Sequence, residues 1–214
     1  MVLRHNVGDK MELKKALEEL RKLEKRKFDQ GIDLIINLKG IDVKKDNIST
    51  IITVPNKFKE KKVCGFLTKK SEIVRTITEP DFPKYKEKKT MKSLVKEYDF
   101  FIAVPTLMAK VATNFGKFLG PSGKMPSPQL GVVMQEDDAK IKEVLTKIEK
   151  AIKIRVKEPS VKNVVAKENM SDDKILENIR AVYNGIVNAL PNKRDNIKSV
   201  MIKFTMNQPE KITF

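Results

Sequence analysis

Phe100-Phe101-Ile102-Ala103-Val104-Pro105 is an unbroken apolar run closed by proline, and its reading decides the architecture. Such a run suits a strand buried on both faces, as in a parallel sheet covered by helices. Pro105 has a fixed φ and no N–H, so it fits the first turn of a helix, which helical spacing carries to Phe118. Working outward, residues 63–67 form another short apolar run, and residues 92–98 read as helix. Residues 71–77 also read as helix, whereas 78–89, rich in proline and lysine, read as loop. Asp137-Asp138 opens a later helix carrying Ile141, Val144, Leu145, Ile148 and Ile152, with its acids on the favourable end of the dipole. Strands alternating with helices predict a parallel α/β block.

The two ends of the chain have a different style. Asp9-Lys10-Met11-Glu12 has the form of a capping box, followed by Leu13, Leu17 and Leu20 on one helical face, with Met11 and Leu23 flanking. Phe28-Asp29-Gln30-Gly31 reads as a turn into a strand with Leu34, Ile36 and Leu38 on one side. Residues 48–54 form a β-branched strand stopped by Pro55. Residues 152–156 and 161–166 read as strands. Ser171-Asp172-Asp173 then caps a helix with Ile175, Ile179, Val182, Ile186 and Leu190 on one face. Residues 199–206 close the chain as a strand, Val200, Ile202 and Phe204 facing one way. This predicts an α+β domain built from residues 1–57 and 156–214, and an inserted α/β domain over 58–155. Two crossings near Phe58 and Arg155 would then form a hinge.

Of 214 residues, 40% are apolar, enough for real cores. No apolar run is long enough to span a bilayer, and Met1-Val2-Leu3-Arg4-His5-Asn6 lacks the apolar region of a secretory signal. The single cysteine, Cys64, leaves no intramolecular disulfide, fits a reducing cytosol and reads as a small buried strand residue. With one histidine, His5, there is no His/Cys metal set and no supported Cys–His nucleophile pair. Lys and Arg number 44 against 28 Asp and Glu, a net charge of +16 that favours polyanions. Residues 58–155 hold 21 basic and 12 acidic side chains, so most of the excess is there. Absence of tryptophan and acids mixed into every helix argue against a membrane-surface helix.

After the helix from Pro105 comes Phe115-Gly116-Lys117-Phe118-Leu119-Gly120-Pro121-Ser122-Gly123-Lys124-Met125-Pro126-Ser127-Pro128. Three glycines and three prolines predict a rigid, shaped loop. It is not a nucleotide phosphate loop. That motif needs glycine where Phe118 stands, a hydroxyl where Met125 stands, and a preceding strand. RNA binding fits better, because basic residues hold phosphates while shape and exposed bases give specificity. Phe28, preceded by Arg26-Lys27, and Thr205-Met206-Asn207 are candidates, although on periodicity alone Phe28 equally suits the core and Met206 a strand end.

The Gly/Pro motif, Lys27-Phe28-Asp29, Gly40-Ile41-Asp42, Asn178-Ile179-Arg180-Ala181 and Thr205-Met206 together resemble the L-one family of large-subunit ribosomal proteins, in its archaeal form. The resemblance covers essentially the whole chain. It implies a discontinuous α+β domain with an inserted Rossmann-like α/β domain. It also implies a non-enzymatic role: a cytoplasmic ribosome constituent binding large-subunit rRNA at the mobile stalk, meeting exit-site tRNA, and repressing its own mRNA. The protein would be monomeric off the ribosome and would need no cofactor, metal or membrane. Carried over, Lys27, Phe28, Lys167, Thr205, Met206 and Asn207 form the RNA face. The motif positions are Gly116, Gly120, Pro121, Gly123, Lys124, Met125 and Pro126. Asn207 stands where the family usually has glycine, which suggests a left-handed turn position that asparagine tolerates. The rival reading is a non-specific basic RNA chaperone.

Overall fold

The computed structural model describes residues 11–23, 26–42, 48–85, 87–134 and 136–213. In chain order the elements are β1 (Met11–Glu12), α1 (Leu13–Lys22), β2 (Gly31–Leu38), β3 (Ser49–Thr53), β4 (Val63–Phe66), β5 (Arg75–Ile77), α2 (Lys88–Glu97) and β6 (Phe100–Ala103). They continue with α3 (Pro105–Ser122), α4 (Asp138–Lys150), β7 (Ala151–Arg155), β8 (Ser160–Lys167), α5 (Asp172–Ala189), β9 (Ile197–Phe204) and β10 (Glu210–Thr213). Two compact units result, one of Met1–Lys59 with Lys150–Phe214, the other of Glu60–Glu149.

In the discontinuous unit, alternation builds the sheet. Ile32, Leu34, Ile36 and Leu38 of β2 are buried, and the residues between them are partly exposed. Val200, Ile202 and Phe204 of β9 are buried in the same way. β2 pairs antiparallel with both β8 and β9, within a five-stranded sheet of order β1-β10-β9-β2-β8. The buried face joins Leu13, Ala16, Leu17 and Leu20 of α1 and Ile175, Ile179, Val182 and Ile186 of α5 in one core. Burying each such aliphatic side chain stabilises by about 1.5–3 kcal/mol. β3 and β7 form a separate antiparallel pair, and that pairing sets the return boundary. The sequence places it at 155/156, but Ala151–Arg155 bonds to Ser49–Thr53, so the chain re-enters this unit at Lys150.

Several local expectations differ from the structure. Asp9 of the capping box lies outside the described residues. Met11–Glu12 is a strand paired with β10, so the helix starts at Leu13. Ser171 sits at the N-cap of α5, yet its side chain makes no capping bond. The last strand ends at Phe204. Thr205 and Met206 turn the chain, which returns as β10 against β9.

The inserted unit is α/β, with a parallel sheet of order β5-β4-β6. A bridge from Ala103 to Val132 extends it, and α3 makes the crossing from β6. This is a Rossmann-like layout in which the β4-to-β5 link is not a helix. Residues 71–77 contain Ile73, Val74, Thr76 and Ile77, and the β-branched preference holds, since Arg75–Ile77 pairs parallel with Cys64–Phe66. Within the expected 78–89 loop, Glu79–Tyr85 forms a 3-10 helix, and α2 already starts at Lys88. Ile152 leaves the α4 helix for β7.

The core of this unit is aromatic, with Phe66 against Phe115 (4.8 Å between centroids), Phe101 (5.7 Å) and Phe82 (6.1 Å). Cys64 lies in it fully buried, and burial pushes its thiol up to about 12. The thiolate is the reactive form. Ellman's reagent is therefore expected to label the native protein at least about a hundredfold more slowly than the protein in denaturant. Equal rates would mean that this core opens readily.

The expected Gly/Pro loop is largely helix. α3 runs through Gly116, Gly120 and Pro121 to Ser122, because Leu107, Val111, Phe115 and Leu119 keep their apolar spacing across the breakers. A side chain at Gly116 or Gly120 would meet nothing within 4 Å, so packing does not demand glycine there. Gly123 does the expected work, capping α3 in the left-handed region at φ 71°. Lys124 is not presented to a phosphate. Its Nζ donates to the carbonyls of Val95 and Tyr98, each at 2.7 Å, satisfying the end of α2. Met125 packs at the edge of the core and Pro126 is buried.

Candidate nucleic-acid interface

Three segments meet at the end of the sheet where β2 begins and β8 and β9 finish. Ladder pairing sets Gly31 opposite Lys167 and Ile32 opposite Phe204. Lys27 and Phe28 therefore lead into the same edge that Lys167 and Thr205-Met206-Asn207 leave. Phe28 is 54% exposed and Met206 61% exposed, two large apolar side chains at one sheet end. The core role open to Phe28 from periodicity is thus not the one it takes. Val164, directly across from Asp33, is also exposed.

The turn after β9 is tied back to β2. The Thr205 backbone N–H and its hydroxyl both donate to the Gly31 carbonyl, at 3.0 and 3.1 Å. The Met206 N–H donates to Gln30 Oε1 at 3.3 Å, and the Asn207 N–H to the Phe204 carbonyl at 2.9 Å. Asn207 does not occupy the left-handed region, so this backbone does not require glycine. Its Nδ2 is buried and has no hydrogen-bond partner among the described residues.

Lys167 is held rather than free. Its Nζ lies 3.2 Å from Asp29 Oδ2, while Asp29 Oδ1 accepts the Asn169 N–H at 3.2 Å. Arg21 braces the turn after β8. It donates to Asp172 Oδ1 at 2.7 Å and to the carbonyls of Glu168 and Met170 at 3.3 and 3.0 Å. On the outward sheet face, Asn37 links two strands, donating to Ser199 Oγ and accepting from Ser160 Oγ, both at 2.9 Å.

Asp33 lies on that face opposite Lys203. Burial raises its carboxyl above the ordinary value, against the pull of the Lys203 ammonium and the Thr205 hydroxyl. A raised folded value contributes stability at pH below the unfolded value, and this is lost as pH rises through the folded one. Asp33→Asn is therefore expected to raise the melting temperature at pH 7 and to leave it nearly unchanged at pH 3. A drop at pH 7 would show that the Lys203 attraction outweighs burial.

Of the sequence-derived positions, Lys27, Phe28, Lys167, Thr205, Met206 and Asn207 share this end of the sheet. The Gly/Pro motif belongs to the other unit. Gln30, Arg21, Asp33 and Val164 also belong to this end of the discontinuous unit but are not among the positions expected from sequence. Gln30 had a signal, because it shares the parity of Ile32, Leu34 and Ile36 and so falls on the buried side. Among the described residues no cluster suited to a metal occurs, and no helix is long and apolar enough to cross a membrane.

Sequence comparison bears on this arrangement directly. The family described as ribosomal protein L1p/L10e matches residues 20–207, from α1 through the Thr205–Asn207 turn. The chain belongs to that family. Large ribosomal subunit protein uL1 of Thermococcus kodakarensis is 31% identical over 216 residues, covering 95% of this chain and 98% of the relative. The same protein of Methanothermobacter thermautotrophicus is 31% identical over 208 residues, 91% of this chain and 95% of the relative. That of Thermoplasma acidophilum is 33% identical over 219 residues, 97% of each. All three are archaeal. The L1 family is one of non-enzymatic ribosomal proteins.

Proposed function

We propose that this chain is a cytoplasmic constituent of the large ribosomal subunit whose discontinuous unit binds large-subunit rRNA at the stalk. The observation that carries the reading is the meeting of Lys27-Phe28, Lys167 and Thr205-Met206-Asn207 at one sheet end, with Phe28 and Met206 solvent-exposed. Apolar groups held on a rigid edge suit splayed bases and ribose, and the lysines suit phosphates. In this reading the protein also helps tRNA leave the exit site. It represses its own mRNA through a mimic of the rRNA structure, where a tenfold preference for rRNA needs only about 1.4 kcal/mol.

The test is binding of the purified chain to a stalk rRNA fragment, to the leader of its own mRNA, and to an unrelated folded RNA of equal length, at physiological salt. Nanomolar affinity for the stalk fragment, somewhat weaker affinity for the leader and orders of magnitude less for the third is the expected pattern. Similar, steeply salt-dependent binding to all three would replace this reading with a non-specific RNA chaperone.

A further inference from the structure

Gln30 is 1% exposed, one of few buried polar side chains among the described residues. A buried amide left unpaired is costly, so its partners define its task. Its Oε1 accepts the Met206 N–H at 3.3 Å, and its Nε2 donates to Glu168 Oε2 at 3.4 Å. Its backbone carbonyl accepts the Glu168 N–H at 2.9 Å. One residue thus joins the segment after Phe28 to both other segments of the site. The amide has one workable orientation. The Met206 N–H can only donate and the Glu168 carboxylate only accept, so Oε1 must face the first and Nε2 the second.

We propose that Gln30 is a positioning residue for RNA recognition. It fixes the Met206 turn in its binding posture, and Glu168, on the turn that Arg21 braces, sets the direction of its amide. This rests on the rRNA-binding reading above. Gln30 itself is buried and contacts no RNA. Its loss would therefore lower the preference for cognate RNA without removing a phosphate contact.

The experiment uses the full chain with the stalk rRNA fragment and the unrelated RNA, well below the melting temperature, each across a salt series. Wild type comes first. If it shows no preference, the functional reading falls, whatever Gln30 does. With the preference established, Gln30→Ala and Gln30→Glu are each expected to weaken stalk RNA binding about tenfold or more. Affinity for unrelated RNA and the slope against salt would stay unchanged. The reciprocal variant, Gln30→Glu with Glu168→Gln, keeps an acceptor for the Met206 N–H and restores the donor–acceptor pair that Gln30→Glu alone breaks across the junction. It is expected to recover binding to within about threefold of wild type. Wild-type preference in both single variants would overturn the proposal. So would a folded reciprocal variant that stays as weak as the singles, or a parallel loss for both RNAs.

Discussion

Phe28→Ala combined with Met206→Ala is expected to lower affinity for stalk rRNA by about a hundredfold or more, while the melting temperature stays within a few degrees of wild type. Both side chains are more than half exposed, so their removal leaves no cavity. Stacking of one base on an aromatic side chain is worth about 1–3 kcal/mol by alanine substitution. On the proposed reading, Met206 would cover a comparable apolar area of the RNA. Lys27→Ala provides the contrast. It is expected to weaken stalk and unrelated RNA alike, and to reduce the salt slope by about 0.9 or less. The double variant should leave that slope alone. Equal losses from the apolar pair and from Lys27 would count against a shape-reading edge.

Gly131→Ala is expected to be the most damaging small substitution in the inserted unit, costing about 3 kcal/mol or more. A Cβ at Gly131 would lie 2.8 Å from the Ser127 backbone nitrogen, 2.9 Å from Pro126 Cα and 3.0 Å from the Phe101 carbonyl. These are backbone atoms or a proline ring position, none of which can rotate away. Gly131 also accepts the Ala103 N–H at 2.8 Å and donates to the Ser127 carbonyl at 2.7 Å. Displacement would therefore loosen both the sheet extension at Val132 and the Pro126-Ser127 segment. Chemical denaturation should show a transition at lower denaturant. An unchanged midpoint would show that residues 126–131 yield without cost. Binding to stalk RNA through the discontinuous unit is the control, and it should be far less affected than stability.

The period of apolar residues was the most legible signal in the chain. It locates β2, β9, α1 and α5, because each buries one continuous stripe or face, whereas β6 shows as an unbroken apolar run buried on both faces. At α3 two signals conflict: Gly116, Gly120 and Pro121 suggest a loop, whereas Phe115 and Leu119 keep helical spacing. Propensity is a weak prior, and the tertiary packing of those two residues outweighs it. β5 is not legible as a strand, because three paired residues carry too little local pattern and only pairing with β4 makes Arg75–Ile77 a strand. At the exposed sheet end, the residue types at Phe28 and Met206 can be named from sequence, whereas their exposure cannot. Gln30 was overlooked because its role depends on Glu168, 138 residues away, and on Met206, 176 residues away.

The sheet order β1-β10-β9-β2-β8 has a consequence for synthesis. β9, made long after β2, lies between it and β10. During translation the inserted unit has all its strands before β9 exists, so it is free to fold first. β2 meanwhile waits with an unpaired edge for a partner more than 150 residues downstream. The turn at Thr205-Met206 is completed only after β9 has been made. Nascent chains that stop short of Met206 therefore lack the edge proposed above to face RNA, and under that proposal they do not compete for it.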